Sequence, residues 1–113
     1  MPHLVIEYSQ DLAEAHDMAA LCQSLFDAAK TSGVFDPATI KVRALPCPYW
    51  CTGTDPQSFA HITIRLMSGR DAAAKSRLTQ HILAAMDRQL PDAGSLTVDI
   101  KEIDPTTYAK RVM

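Results

Sequence analysis

The chain has almost no net charge: 11 Lys and Arg against 13 Asp and Glu leave −2 over 113 residues. That balance provides no electrostatic footprint for nucleic acid or for an anionic membrane, so any positive region must be local. Long hydrophobic runs are absent too. No stretch approaches the roughly 18 apolar residues that a membrane span requires, and no basic segment followed by an apolar signal core opens the sequence. A cytoplasmic protein is the expectation. Cysteine is scarce and odd in number, at Cys22, Cys47 and Cys51. Cys47 and Cys51 are separated by three residues, which matches neither a redox C-x-x-C nor half of a zinc ribbon. No metal site or cofactor is expected, and Cys22, within a helical pattern, reads as a small core residue.

What is present suits one soluble domain, 1–113, with 47% apolar and 21% charged residues. Its most informative position is Pro2. An internal proline nitrogen is an amide without an N–H, but removal of Met1 would leave Pro2 with a free, titratable secondary amine. Proline is small enough that this removal is expected in cells. An α-amino group ordinarily titrates at roughly 7.7–8.0. A prolyl amine is more basic, and needs a desolvated or cationic setting to be neutral at working pH.

The rest reads as two strand–helix–strand units, about 2–46 and 58–103. Pro2 to Tyr8 is an apolar strand. Ser9, Gln10 and Asp11 offer a helix start, followed by a stripe at Leu12, Ala15, Ala19, Cys22, Phe26 and Ala29, with Leu25 beside it. Gly33 is the expected stop. Ile40 to Leu45 alternates apolar Ile40, Val42 and Ala44 with cationic Lys41 and Arg43, predicting a strand with one positive face. Pro46 to Gln57 is a long loop containing the only tryptophan. Phe59 to Met67 alternates as a third strand. Ser68-Gly69-Arg70-Asp71 resembles a capping box, and Ala74, Leu78, Ile82, Ala85 and Met86 share the face of a helix ending near Leu90-Pro91. Leu96 to Ile103 is the fourth strand, and Asp104 to Met113 has no clear pattern.

Each unit pairs its strands in parallel. The expected fold is therefore a two-layer α/β domain: a four-stranded mixed sheet with both helices on one face. The other face, with Phe59, Thr63, Met67, Lys41 and Arg43 among its candidates, is half apolar and predicts oligomerisation. Arg70 opposes the macrodipole of the helix that it opens, so an anion held jointly with helix N–H groups is one reason for its presence. His3 and His61 lack an Asp or Cys partner at motif spacing and are read as structural, or as residues that support neighbouring site side chains without touching substrate.

The Pro2-His3-Leu4-Val5-Ile6-Glu7-Tyr8-Ser9 opening, Thr31-Ser32-Gly33-Val34-Phe35, Ile40-Lys41-Val42-Arg43, and His61-Ile62-Thr63-Ile64 leading to Ser68-Gly69-Arg70 together resemble the tautomerase superfamily. Within it they look most like the 5-carboxymethyl-2-hydroxymuconate isomerases of bacterial homoprotocatechuate breakdown. The resemblance implies a duplicated β-α-β fold, a homotrimer, and a cofactor-free 1,3-allylic keto–enol proton shift on a small unsaturated di- or tricarboxylate. Pro2 would be the general base and Arg70 its catalytic arginine, with Lys41 and Arg43 binding substrate. Lys41 stands where the family carries an arginine, keeping the charge but losing the planar fork. Two other readings stay open: a Pro-dependent hydratase or dehalogenase of unsaturated acids, and a catalytically silent trimeric binding module. Tyr49 and Trp50 are aromatic candidates for completing a neighbouring subunit's pocket.

Overall fold

A computed structural model describes residues 1–113. The chain runs β1 (His3–Ser9), α1 (Leu12–Ala15), α2 (Met18–Thr31), a 3-10 turn (Pro37–Thr39), β2 (Lys41–Cys47), β3 (Phe59–Met67), α3 (Ala72–Gln89) and β4 (Ser95–Ile103). The four strands form one sheet in the order β2-β1-β3-β4. β1 pairs in parallel with β2 and β3 in parallel with β4, while β1 and β3 meet antiparallel at the centre. The mixed sheet expected from two tandem units is present.

Strand alternation sorts the side chains. Leu4, Ile6, Tyr8, Ala60, Ile62, Ile64 and Leu66 are buried beneath the helices. They are joined by Leu21, Leu25, Ala28 and Ala29 of α2 and by Leu78, Ile82, Ala85 and Met86 of α3 in a single core. The alternate residues His3, Val5, Lys41, Arg43, Thr63 and Arg65 line the uncovered face. On that face the cross-strand pairs line up three cations with His3 among them at one end of the sheet, in the order Lys41–His3–Arg65–Lys101.

Three local expectations need correction. The first helix is broken: His16 is extended, with φ −133° and ψ 149°, and Asp17 caps a new helix by accepting from the N–H groups of Ala19 at 2.9 Å and Ala20 at 3.1 Å. An aspartate cap satisfies orphan donors that a continuous helix would have to bond internally. The break rotates the buried face, so Ala15 and Ala19 are exposed while Leu21, outside the expected stripe, is 1% exposed. Ser9 does not start a helix; it ends β1, buried, with its hydroxyl accepting from the Phe59 N–H at 3.0 Å. Nor is Ser68 a cap, because α3 begins four residues later, at Ala72, and Asp71 accepts from the Ala74 N–H at 2.8 Å. Arg70 thus lies in the loop before the helix and not in its first turn. Gly33 does follow the α2 terminus, with φ +73°, a backbone that favours glycine.

Candidate active site

Pro2 immediately precedes β1, outside the ladder because it has no N–H to give. Its carbonyl still takes part, accepting from the Lys41 N–H at 3.1 Å. The preceding carbonyl, of Met1, accepts from the Thr39 hydroxyl at 3.0 Å. Thr39 is presented by the 3-10 turn, whose Asp36 carboxylate accepts from the Ala38 N–H at 3.1 Å. A turn that follows β1 and both helices of the first unit therefore ties the chain terminus to the start of β2. The Pro2 ring is fully buried, and strand alternation puts it on the helix side with Leu4 and Ile6.

Lys41 and Arg43 project from the open face of β2. The Lys41 ammonium folds back to donate to the Thr39 carbonyl at 2.9 Å, which keeps the charge at the Pro2 end. Arg43 donates from Nη1 to His3 Nδ1 at 2.9 Å.

Arg70 reaches the same end of the sheet from the other side. Because β3 runs antiparallel to β1, its exit at Met67 lies beside the entry of β1. Gly69, at φ +126°, turns the chain there. The Arg70 guanidinium donates to the Val34 carbonyl at 3.1 Å and to the Met67 carbonyl at 3.4 Å, and lies over the Phe35 ring at 5.5 Å. Two of its five donors are engaged by carbonyls, and no carboxylate pairs with it. The structure thus gathers Pro2, Lys41, Arg43 and Arg70 at one end of the sheet, the Arg70 loop on the helix side and the two β2 cations on the open side.

The local field is positive. The terminal amine of Met1 is held below its ordinary value of 8.0 by partial burial, then by Lys41 and by Lys110 from the C-terminal tail. His3 is likewise lowered from 6.5, first by burial and then by Arg43, Lys41, the terminal amine and Arg65. Lys110 and Arg65 were missed as site residues in the sequence. Arg65 has the right strand parity, but only the register reveals its pairing with His3. Lys110 lies in a segment whose sequence has no periodicity to read. Cys22, half-buried on α2, has its thiol pushed up by burial, as suits a packing residue.

Tyr49 and Trp50 lie beyond the far end of β2, roughly 20 Å along the strand from Lys41. A surface cleft of about 500 Å³ is lined there by Pro48, Tyr49, Trp50 and Cys51. It carries no cation, whereas Lys41, Arg43 and Arg70 lie toward the Pro2 end of the sheet. A second cleft, of about 450 Å³, is lined by Lys41 with Ile40 and Val42 of the same segment and Cys22 and Phe26 of α2, but not by Pro2 or Arg70. His61 bonds Thr97 Oγ1 at 2.7 Å, four strand positions from Arg65, and takes no part in the Pro2 cluster.

Comparison with known proteins gives a consistent picture. The sequence model of the family described as 5-carboxymethyl-2-hydroxymuconate isomerase matches residues 2–112. The 5-carboxymethyl-2-hydroxymuconate Delta-isomerase of Escherichia coli is 24% identical over 121 aligned positions, which cover 98% of this chain and 94% of that protein. A crystal structure of a 5-carboxymethyl-2-hydroxymuconate delta-isomerase aligns with TM-score 0.83 at 25% identity, covering 100% of this chain and 89% of the other. A fused 4-OT wild type symmetric trimer shares the fold alone, with TM-score 0.79 at 20% identity over 96% of this chain and 90% of the other.

Proposed function

Because the chain belongs to the 5-carboxymethyl-2-hydroxymuconate isomerase family and is an isomerase-like enzyme, we propose that processed Pro2 is the general base of a 1,3-allylic keto–enol proton shift on a small unsaturated di- or tricarboxylate. The neutral prolyl nitrogen takes the enol O–H proton. The released electron pair forms the C=O bond, the adjacent C=C bond shifts, and the same nitrogen returns its proton to carbon. Base and acid are one group, neutral at start and finish, so its pKa must lie near the working pH.

The observation that carries this reading is the cationic setting of the chain terminus, where burial, Lys41 and Lys110 all disfavour a charged amine. Removal of Met1 moves the amine one residue along, still beside Lys41, whose N–H is bonded to the Pro2 carbonyl. The same cations attract a polyanionic substrate. Arg70 has guanidinium donors left for a carboxylate or a developing enolate oxygen, and Lys41 and Arg43 supply charge from the open face. At the Pro2 end Lys41 lines an open surface cleft that neither Pro2 nor Arg70 lines, and the open sheet face is half apolar. Both features support a homotrimer in which a neighbouring subunit closes the pocket, and the fused 4-OT relative is itself a trimer.

The test is Pro2→Ala, with intact mass establishing that Met1 has been removed in both proteins. The wild type is expected to ketonise a 2-hydroxymuconate-type substrate. Pro2→Ala should lose at least about 10²-fold in rate, the usual contribution of a positioned acid–base, with an unchanged circular dichroism spectrum. Full activity in the variant overturns the assignment.

A further inference from the structure

We propose that His3 is a positioning residue for Arg43, accepting a hydrogen bond that aims the guanidinium at substrate while leaving its charge unspent. The inference rests on the reading of Arg43 as a substrate contact.

The direction of the bond is fixed by chemistry. His3 Nδ1 and Arg43 Nη1 are 2.9 Å apart. A guanidinium has donors only and does not deprotonate in a protein, so Nδ1 must be the acceptor. The imidazole is therefore neutral, with its proton on Nε2.

Geometry gives the bond its consequence. Arg43 is paired with Val5, whereas His3 is paired with Lys41. By bonding His3, the Arg43 side chain leans back two residues, toward Pro2. This is the one side-chain hydrogen bond Arg43 makes, and no carboxylate pairs with it. A carboxylate at position 3 would orient the guanidinium equally well, but it would neutralise the charge and compete with an anionic substrate. A neutral imidazole holds the group and leaves its charge available.

The arrangement works only while His3 stays uncharged. From β2 it faces Arg43 and Lys41, from β3 Arg65, and along β1 the chain terminus and, two positions beyond Val5, Glu7. The cations outnumber the lone acid, and burial and these cations hold the imidazole below its ordinary value. Protonation would remove the acceptor lone pair and set two like charges in contact. Acidification should thus loosen Arg43 and raise KM, an effect that adds to protonation of the Pro2 base and that replacing His3 removes while base titration stays.

The experiment compares His3→Ala with His3→Asn in the processed protein, using a 2-hydroxymuconate substrate. The Asn side-chain oxygen stands near the place of Nδ1 and accepts without titrating. His3→Ala is expected to raise KM about tenfold, the effect of one charge-assisted hydrogen bond, with kcat within about twofold. His3→Asn should restore KM and abolish its rise at acid pH. An unchanged KM in His3→Ala, or no rescue by His3→Asn, overturns the inference. A second readout is independent of turnover. Imidazole ¹⁵N NMR should show the Nε2–H tautomer, and Arg43→Gln should raise the His3 titration midpoint. An Nδ1–H tautomer, or a midpoint indifferent to Arg43→Gln, overturns it as well. Absence of wild-type turnover on 2-hydroxymuconates would instead count against the proposed function, and the NMR result would still decide the His3–Arg43 bond.

Discussion

The guanidinium of Arg70 lies 5.5 Å from the centre of the Phe35 ring, bracing the loop before α3 against the exit of α2. The same guanidinium bonds the carbonyls of Val34 and Met67, so its plane is set before any substrate arrives. Arg70→Ala should lower kcat/KM by about 10²–10³-fold, the range for loss of one donor to a developing oxyanion. Arg70→Lys keeps the charge but cannot span both carbonyls and offer a fork, and an intermediate loss is expected. Steady-state kinetics on the two variants, with Tm as a control, will decide. Equal activity of Lys, Ala and wild type would remove Arg70 from the site.

Lys41 and Lys110 should tune the base by charge alone. A nearby cation disfavours the protonated amine and lowers its pKa. Removing one therefore raises that pKa, and the rising limb of kcat/KM moves to higher pH. Lys41, the larger of the two charge contributions at the terminal amine, should give the larger displacement as Lys41→Gln, and Lys110→Gln the smaller. A pH–rate profile that stays put in Lys41→Gln, or shifts toward acid, contradicts this electrostatic account.

Helix capping separates Asp71 from Ser68. Asp71→Ala removes the acceptor for the Ala74 N–H and should cost about 1 kcal/mol, a typical N-cap value. Ser68 is exposed and its side chain caps nothing, so Ser68→Ala should stay within about 0.5 kcal/mol. Urea denaturation of both variants measures the difference, and a larger loss at Ser68 would reverse the assignment.

Leu21 and Ala19 provide the corresponding contrast in α2. Leu21 is 1% exposed within the core, and Leu21→Ala should cost about 2–5 kcal/mol. Ala19 is exposed, and Ala19→Ser should change stability by no more than about 0.5 kcal/mol. Thermal unfolding would show comparable losses if the stripe through Ala15 and Ala19 were the buried one.

Sheet alternation was readable residue by residue because its period is two, and the burial of Leu4, Ile6, Ile62 and Ile64 follows it directly. Helix phase was less secure. A single Asp17 cap restarts the helix and turns its buried face, and a stripe of small alanines is too weakly apolar to reveal the shift. Pro2, Lys41 and Arg70 could each be singled out from residue type and position. Their convergence depends on β1 and β3 meeting antiparallel, which neither strand encodes alone. The His3–Arg43 bond and the reach of Lys110 depend on register and on a patternless tail, and those are properties of the folded chain.

The hydrogen bond from Lys41 N–H to the Pro2 carbonyl has a twin. Ser95 N–H donates to the Ser58 carbonyl, also at 3.1 Å. Each joins the first residue of an outer strand, β2 or β4, to the residue just before an inner one, β1 or β3. Under the pseudo-twofold relation of the two halves, Ser58 is therefore the counterpart of Pro2. Its nitrogen is bound to Gln57 and can never titrate. The carbonyl of Gln57 is in turn occupied by Trp50 Nε1 at 3.2 Å and by Thr52 Oγ1 at 2.9 Å. A scaffold nearly symmetric in backbone is thus asymmetric in chemistry. Joining the halves into one polypeptide leaves a single pole of the sheet where a free prolyl amine could form, while hydrogen bonds from the long loop occupy the other.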